Sequence, residues 1–187
     1  MVTIVLAHPW HGSFNKVILD TITDKLDTDN RPYHVIDLHK DNFNPVLTES
    51  ELALYSKGGF SDPLVEKYQN LLKNSDHVVF IYPIWWMNMP AILKGFFDKV
   101  LLYGFAYNYE KGWNPLLNIE KSTVITTSEQ ATENFSESGD PVNDINKNCL
   151  YSVGIKNATW FNCDHITSGS DEHRKAFLDK IENHFKS

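Results

Sequence analysis

Three short stretches contain residues whose types and spacing could carry chemistry, and each follows a run of strand-forming residues. They are His8-Pro-Trp-His-Gly-Ser-Phe-Asn15, Pro83-Ile-Trp-Trp-Met87 and Thr126-Thr127. Ser13 is a candidate helix N-cap, and the positive end of a helix can hold a phosphate group. His8 and Asn15 add side chains that can form hydrogen bonds. The first stretch therefore predicts a phosphate site, with plain helix capping as the alternative role of Ser13.

The aromatic stretch has two interpretations. Trp85 and Trp86 could be ordinary core aromatics, since large aromatic side chains are usually at least partly buried. They could instead flank a flat ligand whose other edge meets Thr126 and Thr127. An isoalloxazine ring with a phosphate tail suits all three stretches. A flavin would supply the redox chemistry, while the protein would supply position and electrostatics.

Other kinds of site find less support in the sequence. No Walker P-loop or GxGxxG motif is present. His8 and His11 are three residues apart, but they lie in a loop without a nearby carboxylate or cysteine, so we do not expect a metal site. Ser128 and Ser138 lack the motif of a nucleophile elbow, and no acid–base pair is visible. Nucleophilic hydrolysis is therefore not expected.

Composition narrows the class of protein. With 187 residues and a hydrophobic fraction of 42%, the chain suits one globular domain over 1–187. The net charge is −7 without a basic block, which argues against nucleic-acid binding. Pro83, Pro90 and several charges interrupt the most apolar region, so we expect no membrane insertion. Cys149 and Cys163 have no CxxC spacing, and the start resembles no signal peptide. A cytoplasmic location is expected.

The strand and helix patterns alternate along the chain. Strands are predicted over 2–7, 33–37, 77–82, 122–127 and 158–163. Helices are predicted after Ser13, Thr48 and Ser170, over 65–72, after Pro90 and over 142–153. The polar segment 128–140 is predicted to be a loop or mobile lid. The alternation of strands and helices favours the α/β class with a flavodoxin-like fold. This fold is a doubly wound, five-stranded parallel sheet of order 2-1-3-4-5 with helices on both faces. Such sheets bind ligands beyond the carboxyl ends of their strands.

An ordered set of motifs carries a resemblance to a known family. The motifs are Leu6-Ala-His-Pro9, Ser13-Phe-Asn15, Asn42-Phe-Asn-Pro45, Pro90-Ala-Ile-Leu-Lys-Gly95, Phe105-Ala-Tyr107 and Thr126-Thr127. Together they cover most of the chain from Val2 to Thr127. The chain thus resembles the NAD(P)H:quinone oxidoreductases of the DT-diaphorase type. The ancillary flavoproteins of glutathione-gated potassium efflux systems belong to the same group.

The resemblance implies a role for each motif. The phosphate side of the flavin would contact His8, Ser13, Phe14 and Asn15. The turn that lines the ring would be formed by Pro83, Ile84, Trp85, Trp86 and Met87, with Trp86 also contacting substrate. The second flavin loop would contain Thr126 and Thr127. Tyr107 and Tyr109 would close the substrate pocket of a neighbouring subunit, which implies a homodimer. Such enzymes pass hydride from NAD(P)H through flavin to a quinone or similar electrophile in a ping-pong exchange.

Two departures from the family pattern leave parts of the prediction open. Ser128-Glu-Gln130 stands where the family usually has glycines. The tyrosine and histidine that assist hydride transfer in mammalian diaphorases have no clear counterpart between Ala131 and Asp144, so no catalytic residue is assigned.

FMN is expected over FAD, because the chain ends soon after the helix that follows the fifth strand. An alternative function is a redox-sensing regulatory subunit of a membrane potassium-efflux transporter. A one-electron carrier ranks lowest.

Overall fold

The computed structural model describes residues 1–137, 142 and 145–186. The first half of the chain contains β1 (Val2–Leu6), α1 (Phe14–Thr28), β2 (Tyr33–Asp37), α2 (Glu49–Tyr55), α3 (Pro63–Lys73), β3 (His77–Pro83) and α4 (Ala91–Val100). A small antiparallel hairpin follows, formed by β4 (Tyr107–Asn108) and β5 (Asn114–Pro115). The remaining elements are β6 (Lys121–Thr127), α5 (Asn134–Glu137), a π-helical segment (Ile145–Leu150), α6 (Tyr151–Val153), β7 (Ala158–Cys163) and α7 (Asp171–His184).

The five long strands form one parallel sheet in the order β2-β1-β3-β6-β7. This confirms the predicted doubly wound order. Strands β1 and β3 are buried along their whole length, because helices cover both faces of the sheet. The core on one face includes Ile18 and Ile22 of α1 and Ile181 of α7. The core on the other face includes Phe96 and Phe97 of α4, so the apolar residues of that helix pack on the sheet.

Hydroxyl side chains cap three of the helices at the positions that the sequence predicts. The Ser13 Oγ accepts a hydrogen bond from the backbone N–H of Lys16 at 3.3 Å. Thr48 and Glu51 form a complete capping box at the start of α2. Ser170 accepts from the N–H of His173 at 3.2 Å and starts α7. The N-cap of α1 matters most for function, since it lies at the end of the central strand β1.

Strand β3 is one residue longer than predicted, because it includes Pro83. The Ile84 N–H donates to the Thr127 carbonyl of β6 at 2.8 Å, so the ladder continues past the proline. Pro83 is turned towards β1, as Ile81 is, but the pairing of β1 ends at Leu6 opposite Ile81. Because proline has no N–H to donate, the β1–β3 ladder ends here, where the residue pairs of β1 also end.

The segment after β6 differs from the predicted mobile lid over its described part. Ser128 is buried, and Phe135 is buried within the short helix α5. The predicted residues 138–140 lie outside the described residues. The helix predicted over 142–153 is a π-helical segment that passes into α6, and residues 143 and 144 are not described. Among the described residues, no helix combines the length and apolarity needed to cross a membrane.

Because His77 is buried at the amino end of β3, we expect the free energy of unfolding to fall in acid. Burial, with Lys121 and His184 nearby, lowers its pKa to about 3. The folded protein thus keeps His77 neutral, whereas the unfolded chain takes up a proton near pH 6.5. This contribution to stability is present above pH 6.5 and is lost as the pH falls towards 3, by up to about 1.4 kcal/mol per pH unit. Urea unfolding between pH 8 and pH 5 measures that slope.

The control for this prediction is a second histidine variant. His77→Gln keeps a group that can reach the Thr123 hydroxyl, 2.9 Å from the His77 Nε2, but it does not titrate. We expect a shallower loss of stability with acid in this variant. His34 is exposed on β2, so His34→Gln should leave the slope of the wild type unchanged. Equal slopes in all three proteins would contradict the assignment to His77.

Candidate functional site

The carboxyl ends of β1, β3 and β6 lie side by side, and the three predicted stretches meet there. The Ala7 N–H donates to the Ile81 carbonyl at 2.9 Å, which continues the β1–β3 ladder into the first stretch. The Asn15 Nδ2 donates to the Thr127 Oγ1 at 2.9 Å, although these residues are 112 positions apart. A site assembled from three distant parts of the chain therefore lies at one edge of the sheet.

The start of α1 can hold an anion. The first N–H groups of a helix have no intrahelical partner, and the Ser13 hydroxyl bonds only that of Lys16 among them. Asn15 is buried, and its Oδ1 has no hydrogen-bond partner among the described residues. The Phe14 ring packs against Phe177, so Phe14 contributes its backbone to this site. An unpartnered buried oxygen needs a donor, and a ligand at this edge could supply one.

His8 lies between the first stretch and the tryptophan turn. Its ring centroid is 5.9 Å from that of Trp85, in an edge-on arrangement. The His8 Nδ1 bonds the backbone of Trp10, which leaves Nε2 to meet a ligand. Partial burial lowers the pKa of His8. His8 is therefore a neutral hydrogen-bonding group at this site, not a fixed positive charge.

One expectation about the first stretch was wrong: His11 does have a carboxylate beside it. Its Nε2 lies 2.8 Å from the Oδ2 of Asp37, which ends β2. The sequence signal was available, since β2 neighbours β1 in the predicted order and the ends of parallel strands meet. A second acid–base contact joins the His173 Nε2 to the Asp164 Oδ1 at 3.2 Å. No group of three potential metal ligands occurs among the described residues.

The tryptophan turn has an unusual backbone. Trp85 and Asn88 exchange two backbone hydrogen bonds, of 2.9 and 3.0 Å, across Trp86 and Met87. The φ angles of Trp86 and Met87 are 50° and 59°. Two central residues with positive φ define a type I′ turn, which normally contains asparagine and glycine. The turn leaves the N–H groups of Trp86 and Met87 outside its own hydrogen bonds, and the Trp86 side chain is fully exposed.

The strained turn predicts a gain in stability when its residues are changed to Asn and Gly. A residue with a Cβ costs roughly 1 kcal/mol or more in the left-handed region. We expect Trp86→Asn combined with Met87→Gly to raise the free energy of unfolding of the flavin-free protein by about 1 kcal/mol in urea titrations. Asn42 also has a positive φ, of 53°, but asparagine tolerates that conformation. Asn42→Gly should therefore change little, and an equal gain there would contradict the explanation.

The two threonines at the end of β6 have different surroundings. The Thr127 hydroxyl meets Asn15 at the site. The Thr126 hydroxyl accepts from the Trp160 Nε1 at 2.9 Å and donates to the Asn162 Oδ1 at 2.8 Å. Alternate residues of a strand point to opposite faces, so only one of the pair can approach α1. Thr127 is therefore the threonine whose side chain faces Asn15 and the start of α1.

A cleft of about 250 Å³ opens between the tryptophan turn and the segment after β6. Its walls include residues of the tryptophan turn, which were predicted as flavin contacts, and further residues for which no ligand contact was predicted. The lining residues are Ile84, Trp86, Met87, Ser128, Glu129, Gln130 and Phe135. Phe135 was missed because α5 was not predicted. The departure from the family glycines at 128–130 was the signal for the other three.

Tyr107 and Tyr109 are not among the residues that line this cleft. They lie on the β4–β5 hairpin in an aromatic cluster with Tyr103 and Trp113. Tyr107 is stacked on Trp113 with ring centroids 4.2 Å apart. Burial and a hydrogen bond with Tyr55 raise the pKa of Tyr107 to about 12, so its hydroxyl keeps its proton. Tyr109 is exposed and Tyr107 is buried beneath it, and neither residue lines the cleft of its own chain.

Comparison with known proteins agrees with this architecture. The family described as having a flavodoxin-like fold matches residues 1–185. An uncharacterised NAD(P)H oxidoreductase of Haemophilus influenzae is 31% identical over 183 residues, covering 94% of this chain and 89% of that protein. The NAD(P)H dehydrogenase [quinone] 1 of Rattus norvegicus is 35% identical over 146 residues, covering 66% of this chain and 52% of the rat protein. The NAD(P)H:quinone oxidoreductase from Methanothermobacter marburgensis superimposes with a TM-score of 0.89 at 29% identity, covering 98% of this chain and 96% of that chain.

Proposed function

Because this chain belongs to the family with the flavodoxin-like fold, we propose that it is a flavin-dependent NAD(P)H oxidoreductase that reduces a quinone or similar electrophile. One flavin-binding domain over 1–187 is part of this proposal. The observation that carries it is the meeting of a capped helix N-terminus, the buried Asn15–Thr127 contact and an exposed aromatic turn at one sheet edge. Relatives named as NAD(P)H oxidoreductases support the proposal.

The residues at this edge fit a flavin. The helix N-terminus at Ser13 would hold its phosphate, and the unpartnered Oδ1 of buried Asn15 would accept a hydrogen bond from a hydroxyl group of the flavin side chain. The N–H groups of Trp86 and Met87, which take no part in the hydrogen bonds of the turn itself, and the exposed Trp86 side chain would meet its ring. When bound, a flavin accepts hydride from NAD(P)H and passes reducing equivalents to an acceptor. We propose FMN, since one capped helix terminus beside the ring site suits a single phosphate.

Each residue of the site has a defined task in this proposal. Trp86 and Met87 form one wall of the cleft in which donor and acceptor would meet. Neutral His8 donates a hydrogen bond through Nε2 to the ligand. Because Asn15 bonds Thr127, it fixes the phosphate end relative to β6.

Cys149 and Cys163 are free thiols, which supports the cytoplasmic location that we retain as part of the proposal.

Three measurements on the purified protein test the function. Incubation with FMN or FAD followed by gel filtration should leave a yellow protein with bound flavin. Mass spectrometry of the released flavin decides between FMN and FAD. Oxidation of NADH or NADPH should then depend on an added naphthoquinone and follow ping-pong kinetics. A protein that takes up neither flavin and oxidises neither nucleotide would refute the proposal.

The aromatic cluster on the hairpin supports a homodimer in the same proposal. Tyr109 is 60% exposed and Trp113 is 51% exposed, and Leu116 and Tyr151 also expose apolar surface. Exposed aromatics of this size are typical of protein interfaces. A second copy of the chain is the proposed partner, so that this surface completes the neighbouring cleft as the resemblance implies.

We therefore expect the protein to sediment as a dimer in analytical ultracentrifugation. Trp113→Glu should shift it to monomer at micromolar concentration and reduce quinone turnover, because a charge would be buried in the interface. Trp10→Glu places the same charge on an exposed tryptophan of the flavin loop and should leave the dimer intact. A monomeric wild type would contradict this part of the proposal.

A further inference from the structure

Glu129 occupies a position in the cleft that nothing in the family pattern assigns. It follows the buried Ser128 at the end of β6 and lines the cleft with Trp86 and Met87. The resemblance leads one to expect glycines at this loop, which would bring neither side chain nor charge. In this chain a carboxylate stands beside the proposed meeting place of donor and acceptor.

The carboxylate of Glu129 is held in place by the loop after β7. Its Oε2 accepts hydrogen bonds from the backbone N–H and the hydroxyl of Thr167, the former at 3.0 Å. Hydrogen bonds from Ser168 and Thr167 lower the pKa of Glu129 to about 2. The side chain is thus both ordered and negatively charged throughout the physiological pH range.

The backbone that carries Glu129 is also fixed. The Asn162 Nδ2 of β7 donates to the Ser128 Oγ at 2.9 Å and to the Thr132 Oγ1 at 3.0 Å. The Thr132 N–H and hydroxyl in turn donate to the Asp164 Oδ2, at 3.0 and 2.8 Å. The segment from 128 to 132 is therefore tied to β7 on both sides of Glu129. Glu129 is exposed, so its field is felt mainly at short range, and its fixed position keeps the carboxylate within that range of a ligand in the cleft.

Nearby cations do not cancel this charge. The sequence between Thr127 and Lys147 contains acidic residues but no lysine or arginine. Arg174 donates to the carbonyls of Ile166 and Gly169 and pairs with Asp171. The ring of His173 contacts Asp164. Arg174 and His173 thus have partners other than Glu129.

We propose that Glu129 determines which acceptors enter the cleft, by disfavouring anionic quinones relative to neutral ones. This inference rests on the proposed function, because it concerns the acceptor of that same site. The relevant chemistry is simple Coulomb repulsion between a fixed carboxylate and a sulfonate or carboxylate on the acceptor. We take the carboxylate and the anionic group of the acceptor to be about 6 to 8 Å apart in a largely hydrated cleft. Removing the charge of Glu129 should then raise the affinity for an anionic acceptor by roughly threefold to tenfold.

The test compares a neutral naphthoquinone with its sulfonated derivative on the flavin-loaded protein. Binding is measured by quenching of tryptophan fluorescence, and turnover is measured as kcat/KM at fixed NADH. Glu129→Gln keeps the size of the side chain and an oxygen that can accept from Thr167. We expect it to tighten binding of the sulfonated quinone threefold to tenfold and to leave the neutral quinone within twofold. High salt should reduce the discrimination of the wild type.

Two further variants complete the design. Gln130→Glu adds a carboxylate to the same wall and should weaken binding of the sulfonated quinone. Glu133→Gln removes the same charge from the same segment but outside the cleft lining, and it should have little effect. An unchanged preference in Glu129→Gln, an equal change in Glu133→Gln, or failure of the wild type to bind either quinone would overturn the inference.

The two proposals can fail separately. If Glu129→Gln shifts quinone binding as expected but the flavin-loaded protein turns over neither quinone, the charge selection stands and the reductase function fails. If both quinones are reduced and the variants leave their ratio unchanged, the reductase function stands and the role of Glu129 is wrong.

Discussion

Ser13→Asp is expected to weaken flavin binding by roughly 100-fold while the protein stays as stable as the wild type. Aspartate is as good an N-cap as serine, so α1 keeps its capping bond to the Lys16 N–H. The new carboxylate would lie beside the proposed phosphate position, and two like-charged groups about 5 Å apart repel by several kcal/mol at a partly buried site. Equilibrium dialysis with FMN measures the affinity, and thermal unfolding of the flavin-free protein measures the stability.

The same substitution at another helix separates capping from phosphate binding. Ser170 caps α7 through the N–H of His173, and α7 follows β7, which is not one of the three strands whose ends form the site. Ser170→Asp should therefore leave flavin affinity unchanged. If Ser13→Asp binds flavin as tightly as the wild type, then Ser13 is only a helix cap, which is the alternative that the sequence left open.

Lys99→Ala should destabilise the protein by about 3 to 5 kcal/mol, corresponding to a fall in Tm of about 10 °C. The Lys99 side chain is 3% exposed, and its Nζ lies 3.0 Å from the Oε1 of Glu51, which is 5% exposed. The same Nζ donates to the Asn44 carbonyl at 2.9 Å and lies 3.5 Å from the Asp62 Oδ2. Without the ammonium group, a buried carboxylate and a carbonyl lose their partner. Differential scanning calorimetry measures the change.

Two comparisons identify the burial of the charge as the cause. Lys94 on the same helix pairs with Asp98 at the surface, so Lys94→Ala should cost less than about 0.5 kcal/mol. Lys99→Met combined with Glu51→Gln removes both buried charges and keeps a group that can complete the cap of α2. This double variant should recover most of the stability lost in Lys99→Ala. A loss as large as that of the single variant would mean that packing, and not charge, is responsible.

The sheet could be predicted from the sequence because its signals are local. Each strand is a short run rich in strand-forming residues, and caps such as Ser13 and Ser170 mark where helices begin. The order of the strands was expected from the flavodoxin-like doubly wound fold, which suits five strands that alternate with helices. Once that order is known, the three strand ends that form the site must meet. This is why Asn15 and Thr127 are in contact although they are 112 positions apart.

The contacts that were missed depend on side chains from different elements. Nothing in the local sequence of Glu129 indicates that it binds Thr167. The contact of His11 with Asp37 could be found only from the predicted strand order and not from the residues around His11. The positive φ values at Trp86 and Met87 could not be predicted either, because these residue types normally avoid that conformation. The local signal for a type I′ turn is Asn-Gly, and here the tertiary structure imposes the turn on other residues.

The strand order also determines when during synthesis a flavin can first be captured. Strand β1 is made first, yet it lies inside the sheet between β2 and β3, and the site also needs Thr127 at the end of β6. Contacts so distant in sequence form late in folding, because a long loop must close before they contribute. A nascent chain shorter than about 130 residues thus has no place for the cofactor. Flavin supplied during expression acts on the completed sheet, where binding draws the equilibrium towards the folded protein and raises the yield.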